Sequence, residues 1–194
     1  MIGHHRRGRP AENATERQGG AVMVEAVIVL PVLVMLVFGI ISFGQAYSSG
    51  NTVAGATRTG ARLASATYAP ATDKNAAAAA VAAAVKADLS NLSLATPVEM
   101  WMYKADSNGL PNGDATFTNC SSNCIKWTWN TTTATWNSAS GSWSNPNGCG
   151  QTLDYVGIYV KATHKLNNTF FGSTTLTIKQ KTSMRIEPVS NVLC

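Results

Sequence analysis

Residues 26–44 read AVIVLPVLVMLVFGIISFG and contain no charged side chain. The apolar stretch begins at Ala21, and its length of about 20 residues or slightly more is what a helix needs to span a bilayer. Such a segment must be helical because lipid cannot satisfy free backbone groups. The sequence therefore predicts one membrane helix over residues 21–47, with Pro31 inside it.

Positive charge precedes this segment. Four arginines stand before it against two glutamates, and the first charge after it is Arg58. The positive-inside tendency predicts a cytoplasmic N-terminus, a single membrane pass and an outside domain over residues 48–194. An ordinary signal peptide is the alternative, since Ala46-Tyr47-Ser48 is a passable cleavage site that would leave Ser49 as the first residue.

One acid lies at the front edge of the apolar run. Glu25 follows Gly20 by five residues. A carboxylate costs roughly 2.5 kcal/mol or more at mid-bilayer and less near the interface, so an acid at this place is a functional hypothesis by default. Signal peptides do not carry one there, and Glu25 therefore favours a permanent anchor.

The stretch from Gly19 to Pro31, GGAVMVEAVIVLP, is similar to the N-termini of type IV prepilin-like proteins. It looks closest to the TadE/TadF pseudopilins of Tad/Flp (type IVc) pilus systems. Residues 57–64 (TRTGARLA) and 183–188 (SMRIEP) resemble other parts of that family. The resemblance implies a TadE-like minor pilin whose partners are other pilins, inner-membrane assembly proteins and a prepilin peptidase.

The same resemblance implies roles for three residues. Residues 1–20 would be a basic leader that the peptidase removes between Gly20 and Ala21, with Gly19 as a second candidate cut site. Glu25 would be the assembly carboxylate. Cleavage creates an α-amine on Ala21, and that amine on a neighbouring subunit can pair with Glu25 and offset its desolvation. Whether the subunit enters the filament or stays in the membrane is left open.

The sequence pattern of residues 48–194 predicts an α+β fold arranged as in pilin-like subunits. The first helix should continue through Ser65, and a second helix over 75–92 should start at a cap supplied by Thr72 or Asp73. Alternating patterns predict strands near 98–103, 155–163 and 176–186, each with one wet face, the last two forming an antiparallel hairpin. A second helix on an antiparallel sheet is thus expected.

Residues 105–150 are interpreted as a variable, irregular insertion rich in cysteine and tryptophan. The cysteines of the chain all follow the membrane segment, so disulfides are expected on the exported side. Three pairings are possible, and the favoured one joins Cys120 to Cys124 and Cys149 to Cys194.

Trp127 and Trp129 share one face of a short strand within this insertion. Cross-strand packing of aromatics in a small hairpin is one interpretation. The other is an exposed aromatic platform that binds glycans, which would make the protein a signal-anchored or secreted surface adhesin. That adhesin is the alternative function.

The sequence contains few residues or motifs that could carry out catalysis. The histidines are His4, His5 and His164, and the cysteines form no CxxC pair, so no metal site is expected. No serine stands in a nucleophile elbow, which argues against an exported hydrolase. The net charge of +5 lies largely at the two ends of the chain, without basic residues interleaved with aromatics. We expect no enzyme activity, no cofactor and no nucleic-acid partner.

Overall fold

The computed structural model describes residues 14–111, 114–137, 139–168 and 172–189. Within them two helices and six strands follow one another, and the α+β class is confirmed. The elements are α1 Ala14–Thr67, α2 Lys74–Leu89, β1 Ala95–Ala105, β2 Cys124–Asn130, β3 Thr135–Trp136, β4 Ser140–Ser142, β5 Tyr155–Asn168 and β6 Gly172–Arg185. The chain divides into two units, Met1–Phe43 and Gly44–Cys194, which are described separately.

The second unit contains one antiparallel sheet. Its strand order is β3-β2-β1-β5-β6, and β4 pairs with β2. The predicted hairpin of the last two strands is confirmed, but both strands are longer than expected. Asn167 and Asn168 belong to β5 and Gly172 opens β6, with Asn168 opposite Gly172. Residues 169–171, between the two strands, lie outside the described residues.

The C-terminal part of α1 packs on one face of this sheet, the inner face. Val53, Ala56 and Gly60 are buried there, as the helical spacing predicts. A Cβ atom added at Gly60 would stand 2.5 Å from Cγ2 of Val85, so the glycine permits α1 to approach α2 closely. Gly55, in the same helix, faces open space.

Two polar contacts also join α1 to the sheet. The Ser49 hydroxyl lies 3.1 Å from Nδ1 of the fully buried His164 on β5. The hydroxyls of Thr57 and Thr182 lie 2.9 Å apart, which fixes α1 to β6. Buried polar groups are costly without a partner, so these pairs define which turn of α1 faces which strand.

Two side chains hold the link between the helices, and one of them caps α2. Asp73 is the N-cap of α2, and its carboxylate accepts hydrogen bonds from the backbone N–H groups of Asn75 at 2.9 Å and Ala76 at 3.1 Å. Lys74 Nζ donates to three carbonyls of the preceding segment, those of Tyr68, Ala69 and Ala71. Burial lowers the pKa of this lysine. Of the two predicted caps, the structure selects Asp73.

Helix α2 ends three residues before the predicted end at Leu92. Ser90 follows Leu89 as the C-cap, and its hydroxyl donates to the Ala87 carbonyl at 2.6 Å. Leu92 still packs against the core from the following turn. The predicted helix was too long because Leu92 fits the helical spacing of apolar residues although it lies in the turn after α2.

The prediction of one wet face is wrong for β1. Met100, Trp101, Met102 and Tyr103 are all fully buried, so both faces of the strand are covered. On the outer face, opposite the helices, Trp101 and Tyr103 form a second apolar cluster with Phe117. The segment between β1 and β2 folds back over the sheet and supplies this cover, which strand periodicity alone does not reveal.

Local contacts shape that covering segment. The ring of Phe117 stacks on Tyr159 of β5 with centroids 3.9 Å apart. Hydrogen bonds from the Thr116 hydroxyl and from the backbone N–H groups of Thr118, Thr116 and Asn119 hold the pKa of Asp114 well below its usual range. A disulfide joins Cys120 to Cys124 at the start of β2.

Residues 105–150 are also more regular than expected. Three strands lie within them, and β2 pairs with β1 through five residue pairs from Glu99↔Thr128 to Tyr103↔Cys124. The segment therefore extends the sheet instead of standing apart from it. The short strand expected at Trp127 and Trp129 is part of β2.

We expect Gly60→Ala to lower the free energy of unfolding by about 1–2 kcal/mol, because the new methyl group would overpack against the fully buried Val85. Gly55→Ala, in the same helix but facing open space, should raise it by up to about 1 kcal/mol through helix propensity. Denaturant unfolding of the full chain in detergent, followed by tryptophan fluorescence, measures both. Equal effects of the two substitutions would contradict the close helix packing.

Candidate functional site

The first unit presents a largely exposed apolar helix surface. Most large apolar side chains along α1 between Val22 and Phe43 are exposed, with fractions from 42% at Met35 to 79% at Phe43, and Val34 is half-buried. Among the described residues, the helix over Val22–Thr67 is long and apolar enough to cross a membrane, and none of its most apolar window is buried. In water such a surface is an association or membrane site.

Pro31 lies inside this helix without ending it. An interior proline removes one backbone hydrogen bond and costs about 3 kcal/mol in water. Neighbouring groups compensate for such breaks in membrane bundles. The position of Pro31 therefore fits a helix that functions among other helices or in lipid.

The residues predicted as a processing site are helical in this structure. Helix α1 begins at Ala14, so the bond between Gly20 and Ala21 lies inside it. A side chain at Gly20 would meet no atom within 4 Å. Two consecutive glycines, Gly19 and Gly20, each lower helix stability by about 1 kcal/mol relative to alanine, which weakens this turn of α1.

Glu25 is exposed one helical turn after Ala21, on the same face of α1. It makes no ion pair with any residue that the structure describes. Apolar side chains surround its position along the helix, including the exposed Val22, Ile28 and Val29. The Glu25 carboxylate therefore lies on an exposed apolar surface, where it can bind a cationic group of another molecule.

Comparison with known families gives a match in this region. Residues 20–62 match the family of TadE-like proteins. The chain is TadE-like in this segment. The match begins at Gly20 and ends at Arg62, so it contains Glu25, the uncovered apolar surface and the part of α1 that packs on the sheet. The TadE-like resemblance of the N-terminal motif is confirmed. No curated protein and no solved structure matched the chain in the same comparisons.

The aromatic platform is not formed. Trp127 is only 5% exposed and belongs to the main core, while Trp143 is 1% exposed. Trp129 is half-buried and packs edge-on against Trp136 with ring centroids 4.8 Å apart. These are the cross-strand aromatic contacts of a hairpin, and Trp127 offers no face to a glycan.

The disulfide between Cys120 and Cys124 confirms one predicted pair. Cys149 is disulfide-bonded as well. Its expected partner, Cys194, lies outside the described residues, so that second pair stays a prediction. The disulfide between Cys120 and Cys124 closes the segment that covers Trp101 and Tyr103, and its role is therefore structural.

Sequence reasoning missed an open groove beside α2. The groove has a volume of about 640 Å³ and runs between the alanine face of α2 and the tryptophan-bearing strands, with Trp136 donating from Nε1 to the Ala82 carbonyl at 3.0 Å. Nothing in the described residues indicates what would occupy it. In those residues no group of three or more His, Cys, Asp or Glu could hold a metal ion.

We expect Trp127→Ala to destabilise the protein by about 3–5 kcal/mol, because it would leave a large cavity in the core. The matched change Trp129→Ala removes a half-buried ring and should cost clearly less. Denaturant unfolding of the full chain measures the difference. Loss of glycan-array binding in Trp127→Ala with unchanged stability would contradict this structural role and favour the adhesin.

Proposed function

We propose that this protein is a TadE-like minor pilin or pseudopilin that supports assembly of a Tad/Flp-type adhesive pilus. The observation that carries the proposal is the lone carboxylate of Glu25 on the uncovered apolar helix, inside the segment that matches the TadE-like family. Its partners would be other pilins or pseudopilins, inner-membrane assembly proteins and a prepilin peptidase. The role is structural and involves no catalysis.

The apolar surface supports a helix that exchanges lipid for other helices. In the bilayer the side chains between Val22 and Phe43 contact acyl chains, and in an assembly they contact equivalent helices. Lipid is as apolar as leucine, so helix association depends on close packing and on polar contacts within the bundle. Between Ala21 and Arg58, Glu25 is the one side chain that carries a charge at neutral pH.

Processing would supply the partner charge. Cleavage after Gly20 leaves an α-amine on Ala21, which lies one turn from Glu25 on its own helix and can reach the carboxylate of an adjacent subunit. A buried ion pair contributes little net stability, but breaking it by removing one member costs about 3–5 kcal/mol. The pair would therefore fix the register between subunits more than it would add stability.

Charge distribution supports an exported second unit. Four arginines lie before the membrane segment, and the chain carries no further positive charge until Arg58. The Cys120–Cys124 disulfide in the second unit fits an oxidising compartment on the far side of the membrane. We therefore place the N-terminus in the cytoplasm and residues 48–194 outside.

A secreted protein starting at Ser49 fits the fold less well. Ala46 is buried, and the Ser49 hydroxyl contacts the fully buried His164. Cleavage before Ser49 would place a charged α-amine beside that histidine, and burying an unpaired charge is costly. The packing of this turn supports a chain that continues through it.

Replacement of Glu25 tests the proposal. In the native host, Glu25→Leu should insert into the membrane at least as well as wild type, because a charge is removed from an apolar segment. Its association with other pilus subunits should fall about tenfold or more, since the amine of Ala21 would lose its carboxylate. Co-purification of partner subunits and electron microscopy of pili measure the two effects.

The matched control is Glu25→Asp, which keeps the charge and should retain most of the association. A second control, Val24→Leu, changes a neighbouring exposed residue without touching the carboxylate. Wild-type association and normal pili in Glu25→Leu would overturn the assembly role and leave a generic anchored surface domain.

A further inference from the structure

Strand β6 forms an edge of the sheet that no described strand covers. It spans Gly172–Arg185, 14 residues, and its described pairing is to β5 alone. Apart from its pairing with β5, β6 makes no backbone hydrogen bond to another described segment. The first ones beyond the strand run from Ile186 N–H to the Asp154 carbonyl and from Glu187 N–H to the Ser65 carbonyl. A long row of backbone donors and acceptors is thus available on its outer side.

The side chains along this edge carry uncompensated positive charge. Lys179, Lys181 and Arg185 alternate on the outer face, and all three are exposed. None of them forms an ion pair with a carboxylate among the described residues. Lys181 and Arg185 each donate one hydrogen bond to a backbone carbonyl, of Asn108 and Gln151 respectively, both at 3.3 Å. Glu99 on the same face is engaged by Lys126 at 2.8 Å and contacted by Lys161 at 3.7 Å.

The strand register places two of the positive charges opposite each other. Lys179 stands directly opposite Lys161 on β5. Like charges opposite each other destabilise a strand pair, so a carboxylate brought beside Lys179 would relieve this repulsion as well as form a new ion pair. The arrangement favours an acidic neighbour over a neutral one.

We propose that β6 accepts an extended segment of another subunit as an additional strand, and that this segment carries carboxylates at alternate positions facing Lys179 and Lys181. Backbone hydrogen bonds to the free edge supply affinity, and the alternating carboxylates supply selectivity. That the segment belongs to a pilus subunit rests on the function proposed above. The strand addition itself does not.

A second copy of β6 does not satisfy this edge. In a parallel in-register pair of two copies, each lysine of β6 would lie opposite the same lysine of the other copy. In an antiparallel pair centred on residue 180, Lys179 would lie opposite Lys181. Lysines on an edge strand are a common device against self-association. The charge pattern therefore selects a different, acid-bearing strand.

The test is a binding titration with the full chain in neutral detergent. The probe is a fluorescent peptide of about nine residues in which glutamate alternates with threonine, the length that strand addition to this edge can use. We expect saturable binding, at least fivefold weaker binding by the double variant Lys179→Glu/Lys181→Glu, and tighter binding of that variant to the same peptide with lysine for glutamate. Fluorescence anisotropy gives each Kd.

Two controls separate strand addition from simple charge attraction. Arg58→Glu/Arg62→Glu makes the same charge change on an exposed face of α1 and should leave Kd within about twofold. The fully N-methylated glutamate peptide keeps its charge but cannot donate backbone hydrogen bonds, and it should not bind. Equal binding of the methylated peptide, or an unchanged Kd in the Lys179/Lys181 variant, would overturn the inference without affecting the role of Glu25.

Discussion

The structure depends on an apolar surface that the described part of the chain does not bury. Most large apolar side chains of α1 between Val22 and Phe43 are exposed, and without lipid or other helices they would contact water. That arrangement is unfavourable by the hydrophobic effect and becomes favourable only where lipid or other helices replace water. Glu25 is the one charged side chain on this surface, so it determines which neighbours the helix can accept.

The same helix that carries this surface also organises the folded unit. From Gly44 onward α1 supplies Val53, Ala56 and Gly60 to the core, and its hydroxyls at Ser49 and Thr57 meet β5 and β6. Helix α1 spans Ala14–Thr67, and the TadE-like match at residues 20–62 lies within it.

Much of this could be predicted from the sequence because the deciding signals are local. The apolar run, the Asp73 cap and the alternation in β5 and β6 depend on near neighbours in the chain. The buried outer cluster could not be predicted, since the cover on Trp101 and Tyr103 comes from Phe117, a contact that depends on the path of an irregular segment. For the same reason the sequence left two interpretations of Trp127, packed or exposed, because tertiary packing and not strand parity decides which aromatic is buried. The position of Glu25 on the apolar helix followed from the sequence, although α1 begins at Ala14 and not at the predicted Ala21. The free edge of β6 emerged only with the sheet order.

The central claim is that this helix remains attached to its folded unit after a short leader is removed. N-terminal sequencing of the mature protein from its native host tests this most directly. The account predicts that the mature chain begins at Ala21, which retains Glu25 and the whole apolar surface. A mature chain beginning at Ser49 would contradict it, because the segment that matches the TadE-like family would then have been largely discarded.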